Sequence, residues 1–409
     1  MNARSRGALR SILLYAHDTY GLGHLRRNLA IADHLLRAHP GLQAVLMSGS
    51  PVAERFTLPA GLSLVHLPPV VKVGPERYRP RDQRLDLRLV RRARTAIMAD
   101  VARRLRPDVF LVDHAPQGMR GELLPVFDAL RQASPATRIV LGLRDVLDDP
   151  ATVRRTWTAD GVYRTLDEVF DRILVYGSAG LLDLGAAYGL PPRVAAKVSY
   201  CGYLARPAAA ATRPNPATVV VGTAGGGGDG AEMLAATLTA CRALSLPSLV
   251  VTGPLMAPAD RRALEAQAAT DPRARALEFV SDLAATITGA SAVVTMGGYN
   301  TLCELVRSGV PTVVVPRIQP RREQAIRAQL FAERGLVQVV EPGRDLAARL
   351  EPALSAALAA GRRATPADLD LDGLPRLAGI LEEEAARSRL ARQVPERTEP
   401  ARPRVLVPA

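Results

Sequence analysis

Short apolar runs alternate with longer stretches of helical period along most of the chain. In the first half the runs fall at 12–16, 44–48, 62–67, 109–112, 139–143 and 173–176, with a further one at 198–201. Strands that recur between helices predict parallel pairing, because a parallel pair needs a crossover long enough to hold a helix. The alternation stops at 204–218, "LARPAAAATRPNPAT", where alanines and three prolines follow no period, and 205–217 read as a linker. It resumes with apolar runs at 218–223, 248–253, 276–280, 292–296, 312–316 and 336–340. The expected fold class is α/β, with two doubly wound Rossmann-like domains facing a cleft, one over 1–204 and the other over 218–364. From 365 to 409 the strands are gone. A helical pattern at about 374–392 is expected to pack back on either domain, and the proline- and charge-rich end reads as disordered.

Composition narrows the class. With 409 residues, 48% of them hydrophobic, the chain can build two full cores. Its cysteines, Cys201, Cys241 and Cys303, are scattered and odd in number, which argues against a disulfide framework and for a reducing, cytoplasmic setting. No apolar stretch approaches the roughly eighteen residues that span a bilayer.

The formal charge is +13, and much of it is local: residues 72–106 hold twelve Lys/Arg and four Asp/Glu. Nucleic acid is not the expected partner. Base stacking needs aromatic groups among the basic ones, and Tyr78 is the single aromatic residue in this segment. Two readings stay open. "RLDLRLVRRARTAIMADVARRL" places Leu85, Leu89, Ile97, Val101 and Leu105 at roughly helical spacing, as in a solvated helix face. The same charge would also attract an anionic membrane or a lipid-linked acceptor, with the protein peripheral on the inner membrane face.

Three loops at predicted strand ends carry candidate chemistry, since ligands of open α/β sheets bind at the carboxyl ends of the strands. The first, "YAHDTYGLGHLRRN", brings His17, Gly21, Gly23 and His24 to the start of a helix. It is not the dinucleotide fingerprint, because Arg26 stands where the third glycine would be. The second, "AGGGGDGAEML", offers the backbone N–H groups of Gly226, Gly227, Gly228 and Gly230 at the start of another helix, a setting for a diphosphate. It lacks the Lys and Ser/Thr of a P-loop. In the third, "MGGYNTLCELV", Gly297 and Gly298 precede a helix that Asn300 or Thr301 could cap, with Glu304 one turn along. A nucleotide with its phosphates on that helix start would present its ribose hydroxyls to Glu304. Asp113 and His114, in "LVDHAPQG", end another strand, either as acceptor-site residues or as a second acid–base pair.

The run "FVSDLAATITGASAVVTMGGYNTLCELVRSGVPTVVVPRIQPRREQ" resembles the donor half of the GT-B glycosyltransferases, and is most similar to the MurG-like group with the glycosyltransferase family 28 C-terminal domain. The resemblance implies a nucleoside diphosphate sugar as donor, UDP-GlcNAc-like, and a hydroxyl acceptor bound by the N-terminal domain. Under it the glycine loop holds the pyrophosphate, with Gly228 where the family usually has serine. Val280 pairs with the base, Thr301 meets a phosphate and Glu304 clamps the ribose. Glu323 and Gln324 fall on a Gln-Gln pair that contacts the sugar, and the change at Glu323 bears on which sugar is taken. His24 falls on the histidine of the N-terminal glycine loop, the candidate base.

The chemistry so implied is metal-independent, cofactor-free transfer with inversion. Backbone donors steady the leaving diphosphate and a histidine takes the acceptor proton. "DLDLDG" at 368–373 does contain the DxD pattern of metal-using enzymes, but lies beyond the last strand. A nucleotide-sugar 2-epimerase, with Asp113 and Asp145 as its carboxylates, and a non-catalytic nucleotide-sugar-binding protein are the alternatives.

Overall fold

The buried runs of the first half become strands β1 (Ser11–Ala16), β2 (Gln43–Ser48) and β3 (Leu62–His66), then a hairpin of β4 (Val70–Gly74) and β5 (Arg77–Pro80). They are followed by β6 (Val109–Asp113), β7 (Arg138–Arg144), β8 (Arg172–Tyr176) and β9 (Val198–Tyr200). The second half supplies β10 (Val220–Thr223), β11 (Ser248–Val251), β12 (Ala274–Leu277), β13 (Ala292–Thr295), β14 (Thr312–Val314) and β15 (Gln338–Val339). The structure, a computed structural model, describes residues 9–17, 22–74, 77–205, 219–280, 282–319, 321–364, 366 and 369–393. Most of the expected linker, Gly21 and the end of the chain lie outside the described residues.

Among the described residues the strands form two larger parallel sheets, ordered β3-β2-β1-β6-β7-β8-β9 and β12-β11-β10-β13-β14-β15. Each order reverses once, between β1 and β6 and between β10 and β13. At such a switch point the two loops leave toward opposite faces and open a crevice at the strand ends. The loops flanking the two switch points are the ones that carry the histidines, Asp113 and the glycine runs.

The strands are apolar on both faces, as sheets covered on both sides by helices must be. Val109, Phe110, Leu111 and Val112 of β6 are all fully buried. One apolar cluster runs from Leu14 and Leu25 through Leu377 and Leu381 of the last helix to Val293, Leu302 and Phe331, so the two domains share core. That last helix, Gly373–Gln393, packs on the first domain, against the helix Gly23–Ala38 and against β6 and β7. Its Glu384 is fully buried and held by Arg138 at 2.9 Å and Arg172 at 3.2 Å.

The structure corrects several local expectations. The run expected at 276–280 pairs two residues earlier, at 274–277, which leaves Phe279 and Val280 to line the cleft. The β4–β5 hairpin falls in a segment whose charge hid its alternation. In the basic helix, Leu87–Leu105, the buried side chains include Val90, Arg94 and Met98, while Leu85 and Leu89 are exposed. Arg94 lies inward because Glu122 meets it at 2.7 Å, an ion pair that a polar/apolar pattern cannot register. Asn300 does not cap its helix: the N-cap is Gly298, and the Asn300 side chain donates to the Gly23 carbonyl at 2.9 Å. Of the carboxylates of "DLDLDG", Asp368 lies outside the described residues, Asp372 pairs with Arg307 at 2.7 Å and Asp370 with Arg376.

Candidate active site

A cavity of about 1510 Å³ lies between the two sets of strand ends. His17, Gly23, His24 and His114 line it from the first domain, and Gly226, Gly227, Gly228, Val280, Gly298, Thr301, Glu323 and Gln324 from the second. Asp113, Gly230 and Glu304 lie behind this lining.

The helix Gly23–Ala38 turns His24 and Arg27 to one face, since residues three apart are neighbours on a helix. Asp113, at the end of β6, receives both. His24 Nδ1 lies 2.6 Å from Asp113 Oδ2, and Arg27 donates to both Asp113 oxygens at 2.7 and 2.8 Å. Arg27 Nη2 also lies 2.9 Å from His24 Nδ1, but the shorter contact with the carboxylate assigns the imidazole proton to Nδ1 and leaves Nε2 as the basic nitrogen. Burial drives the His24 pKa down from 6.5 to about 4, against the opposing pull of the Asp113 charge, so the ring is neutral at pH 7. Burial pushes the Asp113 carboxyl up, but the Arg27 charge and the hydrogen bonds from His24 and Arg27 outweigh it and hold it well below the usual range. The pairing anticipated between Asp113 and its neighbour His114 is thus made with His24 instead.

His17 and His114 flank this pair. The His24 and His114 rings are 5.1 Å apart and those of His17 and His24 6.1 Å. His17 Nδ1 meets the Tyr15 hydroxyl at 3.1 Å, and that hydroxyl donates to Glu122 at 2.8 Å. Burial lowers the pKa of both flanking histidines well below 6.5.

On the opposite wall the glycine loop leads into the helix Ala231–Ala243. Gly227 has φ +91°, and a Cβ there would stand 2.2 Å from the Thr252 carbonyl, so packing against the end of β11 by itself demands glycine. At Gly298 a Cβ would meet nothing within 4 Å, which leaves the start of the helix Tyr299–Ser308 open to the cavity.

Arg317 organises the rest of this wall. It lies 3.2 Å from Asp229 and 2.8 Å from Glu323 Oε1, and its backbone N–H donates to Gln324 at 3.1 Å. Burial pushes the Glu323 carboxyl up, but the Arg144 and Arg317 charges more than offset this and leave it below the usual value.

Glu304 faces the first domain. Arg26 Nη2 lies 3.0 and 3.3 Å from its two oxygens, bridging the helices Gly23–Ala38 and Tyr299–Ser308. Asp145 is engaged too, fully buried against Arg327 at 2.9 Å and the Tyr203 hydroxyl at 3.1 Å.

Arg26, Arg27, Arg144 and Arg317 are the site residues that sequence reasoning missed. Two of them carried a signal. Arg27 is one helical turn from His24, and Arg144 ends β7 just as Asp113 ends β6. Arg26 and Arg317 act across loops and domains, where spacing is silent.

Residues 226–368 match the family model described as the glycosyltransferase family 28 C-terminal domain. No curated protein sequence matches the chain. Among solved structures, the calicheamicin glycosyltransferase CalG4 is 19% identical with a TM-score of 0.55, covering 94% of this chain and 97% of its own. MurG of Acinetobacter baumannii is 15% identical with a TM-score of 0.54, covering 91% and 95%. A Listeria monocytogenes protein assigned as a UDP-N-acetylglucosamine 2-epimerase is 15% identical with a TM-score of 0.60, covering 91% and 96%. At these identities the structural likeness is one of fold, and the family match falls on the half with the glycine loop, Arg317 and Glu304. The chain thus shares the two-domain fold of these structures, and its residues 226–368 match the glycosyltransferase family 28 C-terminal domain.

Proposed function

We propose that the protein transfers a sugar from a UDP-sugar of the UDP-GlcNAc type to a hydroxyl acceptor, without a metal ion and with inversion at the anomeric carbon. The observation that carries this reading is the His24–Asp113 pair facing, across one cavity, a glycine loop and an open helix start. The acceptor oxygen attacks the anomeric carbon while its proton passes to His24 Nε2. The bond from that carbon to the diphosphate breaks, and the diphosphate leaves with the electron pair. Asp113 stabilises the imidazolium as it forms. The backbone N–H groups at Gly226–Gly228 and at Gly298–Thr301, together with the Arg317 guanidinium, steady the charge on the leaving group.

In this reading Val280 pairs with the base, Gly230 belongs to the pyrophosphate loop, and Glu323 and Gln324 hold the sugar. Glu304 takes the ribose hydroxyls once Arg26 has released it. His17, Gly23 and His114 stand on the acceptor side. Transfer is favoured over 2-epimerisation because Asp113 and Asp145, the carboxylates an epimerase would use, lie behind the cavity lining on Arg27 and Arg327.

Incubation with sugar-labelled UDP-GlcNAc and UDP-glucose, in excess EDTA, tests the proposal. The expected result is label passing to acceptor hydroxyls in a bacterial extract, or slowly to water. Appearance of the 2-epimer, or activity that only Mg²⁺ or Mn²⁺ restores, would overturn it.

A further inference from the structure

Arg144, half-buried at the cavity wall, differs from the fully buried arginines of the molecule. Arg27 is held by Asp113 at 2.7 Å, Arg94 by Glu122 at 2.7 Å and Arg327 by Asp145 at 2.9 Å. Arg144 ends β7 and lines the cavity, yet among the described residues no carboxylate pairs with it. Among the described residues its side chain makes one hydrogen-bond contact, with His114 Nε2 at 3.2 Å. Because an arginine can only donate, that contact makes Nε2 the acceptor and places the His114 proton on Nδ1. The Arg144 Nε–H and the His114 Nδ1–H are both buried donors without a hydrogen-bond partner. Buried donors without partners ask for acceptors, and a guanidinium without a paired carboxylate asks for one that is negatively charged.

The surroundings point the same way. Burial, with the charges of Arg327, Arg27 and Arg321, outweighs the opposing charge of Glu323 and lowers the Arg144 pKa to about 10. Glu323, whose charge opposes that of Arg144, gives its Oε1 to Arg317 on the other domain's wall and keeps a buried Oε2 without a hydrogen-bond partner among the described residues. His114 sits at φ +69°, in the left-handed region that a non-glycine residue enters only at a cost, and such strain gathers at ligand sites.

We propose that Arg144 and His114 form an oxyanion subsite on the acceptor side of the cleft, which takes a carboxylate or phosphate group carried by the acceptor. The inference rests on the reading above, in which the donor diphosphate occupies the second domain. Both subsite residues come from the first domain, at the ends of β6 and β7, with the His114 ring 5.1 Å from that of the base His24. An acceptor anchored there by its anionic group would present a hydroxyl to His24, and neutral analogues would lose the anchor.

Calorimetric titration of the UDP-saturated protein with inorganic phosphate, and separately with acetate, tests this. The wild type should bind one of the two anions with UDP in place, and the anion that binds identifies the acceptor's group as phosphate or carboxylate. Arg144→Gln should weaken that binding at least tenfold and Arg144→Lys should restore part of it. The ligand-free Arg144→Gln protein should melt no lower than wild type, because the change removes a cation from among cations. Anions that bind only by displacing UDP, or that bind Arg144→Gln as well as wild type, would overturn the subsite, as would a lowered Tm with anion binding unchanged. If UDP itself fails to bind, the donor reading falls, while Arg144-dependent anion binding still supports the subsite and its absence overturns it.

Discussion

A neutral histidine beside a carboxylate that Arg27 holds ionised has a definite pH behaviour. The His24 pKa is about 4 when folded against 6.5 when free. Between those values the unfolded chain binds the proton and the folded chain does not, so this contribution is complete above pH 6.5 and is lost as pH falls toward 4. For His24 it amounts to about 3 kcal/mol at most, and His17 and His114 act in the same direction. We predict that His24→Gln lowers kcat by about 10²–10⁴-fold and makes stability fall less steeply between pH 6.5 and 4. Asp113 keeps Arg27 as its partner, so the variant should fold. Urea unfolding at pH 7 and pH 5, beside turnover with labelled UDP-sugar, gives both readouts. A variant with wild-type kcat would remove His24 from the chemistry.

Elements show why the basic segment was hard to read. Its charge lies on two structures, the β4–β5 hairpin and the helix Leu87–Leu105, and part of that charge is engaged internally: Arg94 is buried, Arg84 pairs with Asp82, and Arg104 with Asp100. What is left outward includes Leu85 and Leu89, 44% and 58% exposed, near in the chain to the exposed Arg88 and Arg92. Exposed apolar side chains with cations nearby suit an anionic membrane surface, where each basic residue contributes about 1 kcal/mol. The protein should therefore cosediment with anionic vesicles and not with neutral ones, and salt should release it. Arg88→Glu with Arg92→Glu should abolish the association. Failure to bind either vesicle type at low salt would make the segment a solvated face and the acceptor a soluble one.

At the scale of the whole molecule, the last helix crosses from the second domain to the first and is anchored there by charge as well as by Leu377 and Leu381. Removing the carboxylate of Glu384 would leave Arg172 with the Ser199 hydroxyl and no carboxylate among the described residues. Breaking a buried pair costs about 3–5 kcal/mol, and here the lower part of that range is expected, because Arg138 retains Asp171 at 2.9 Å. Glu384→Gln should lower the urea midpoint while UDP affinity stays near wild type, since the donor wall is remote from the change. A loss below about 1 kcal/mol would make the helix dispensable to the first domain's stability.

Parallel strands buried on both faces read as apolar runs, and glycines at the ends of such runs mark where a backbone turns or a ligand approaches. From those local signals the two α/β domains, the glycine loops and His24 were all legible in the sequence. So was the family of the C-terminal domain. Pairing across distance was not. That Asp113 orients His24 rather than its neighbour, that Arg26 covers Glu304, that Arg317 ties Asp229 to Glu323 and Gln324, and that Arg144 pairs with no carboxylate among the described residues follow from which strands lie side by side and how the domains meet. Charges separated by tens to hundreds of residues leave no period in a chain. Their partners are set by tertiary packing, because a buried charge is stable only where the fold brings its opposite to it.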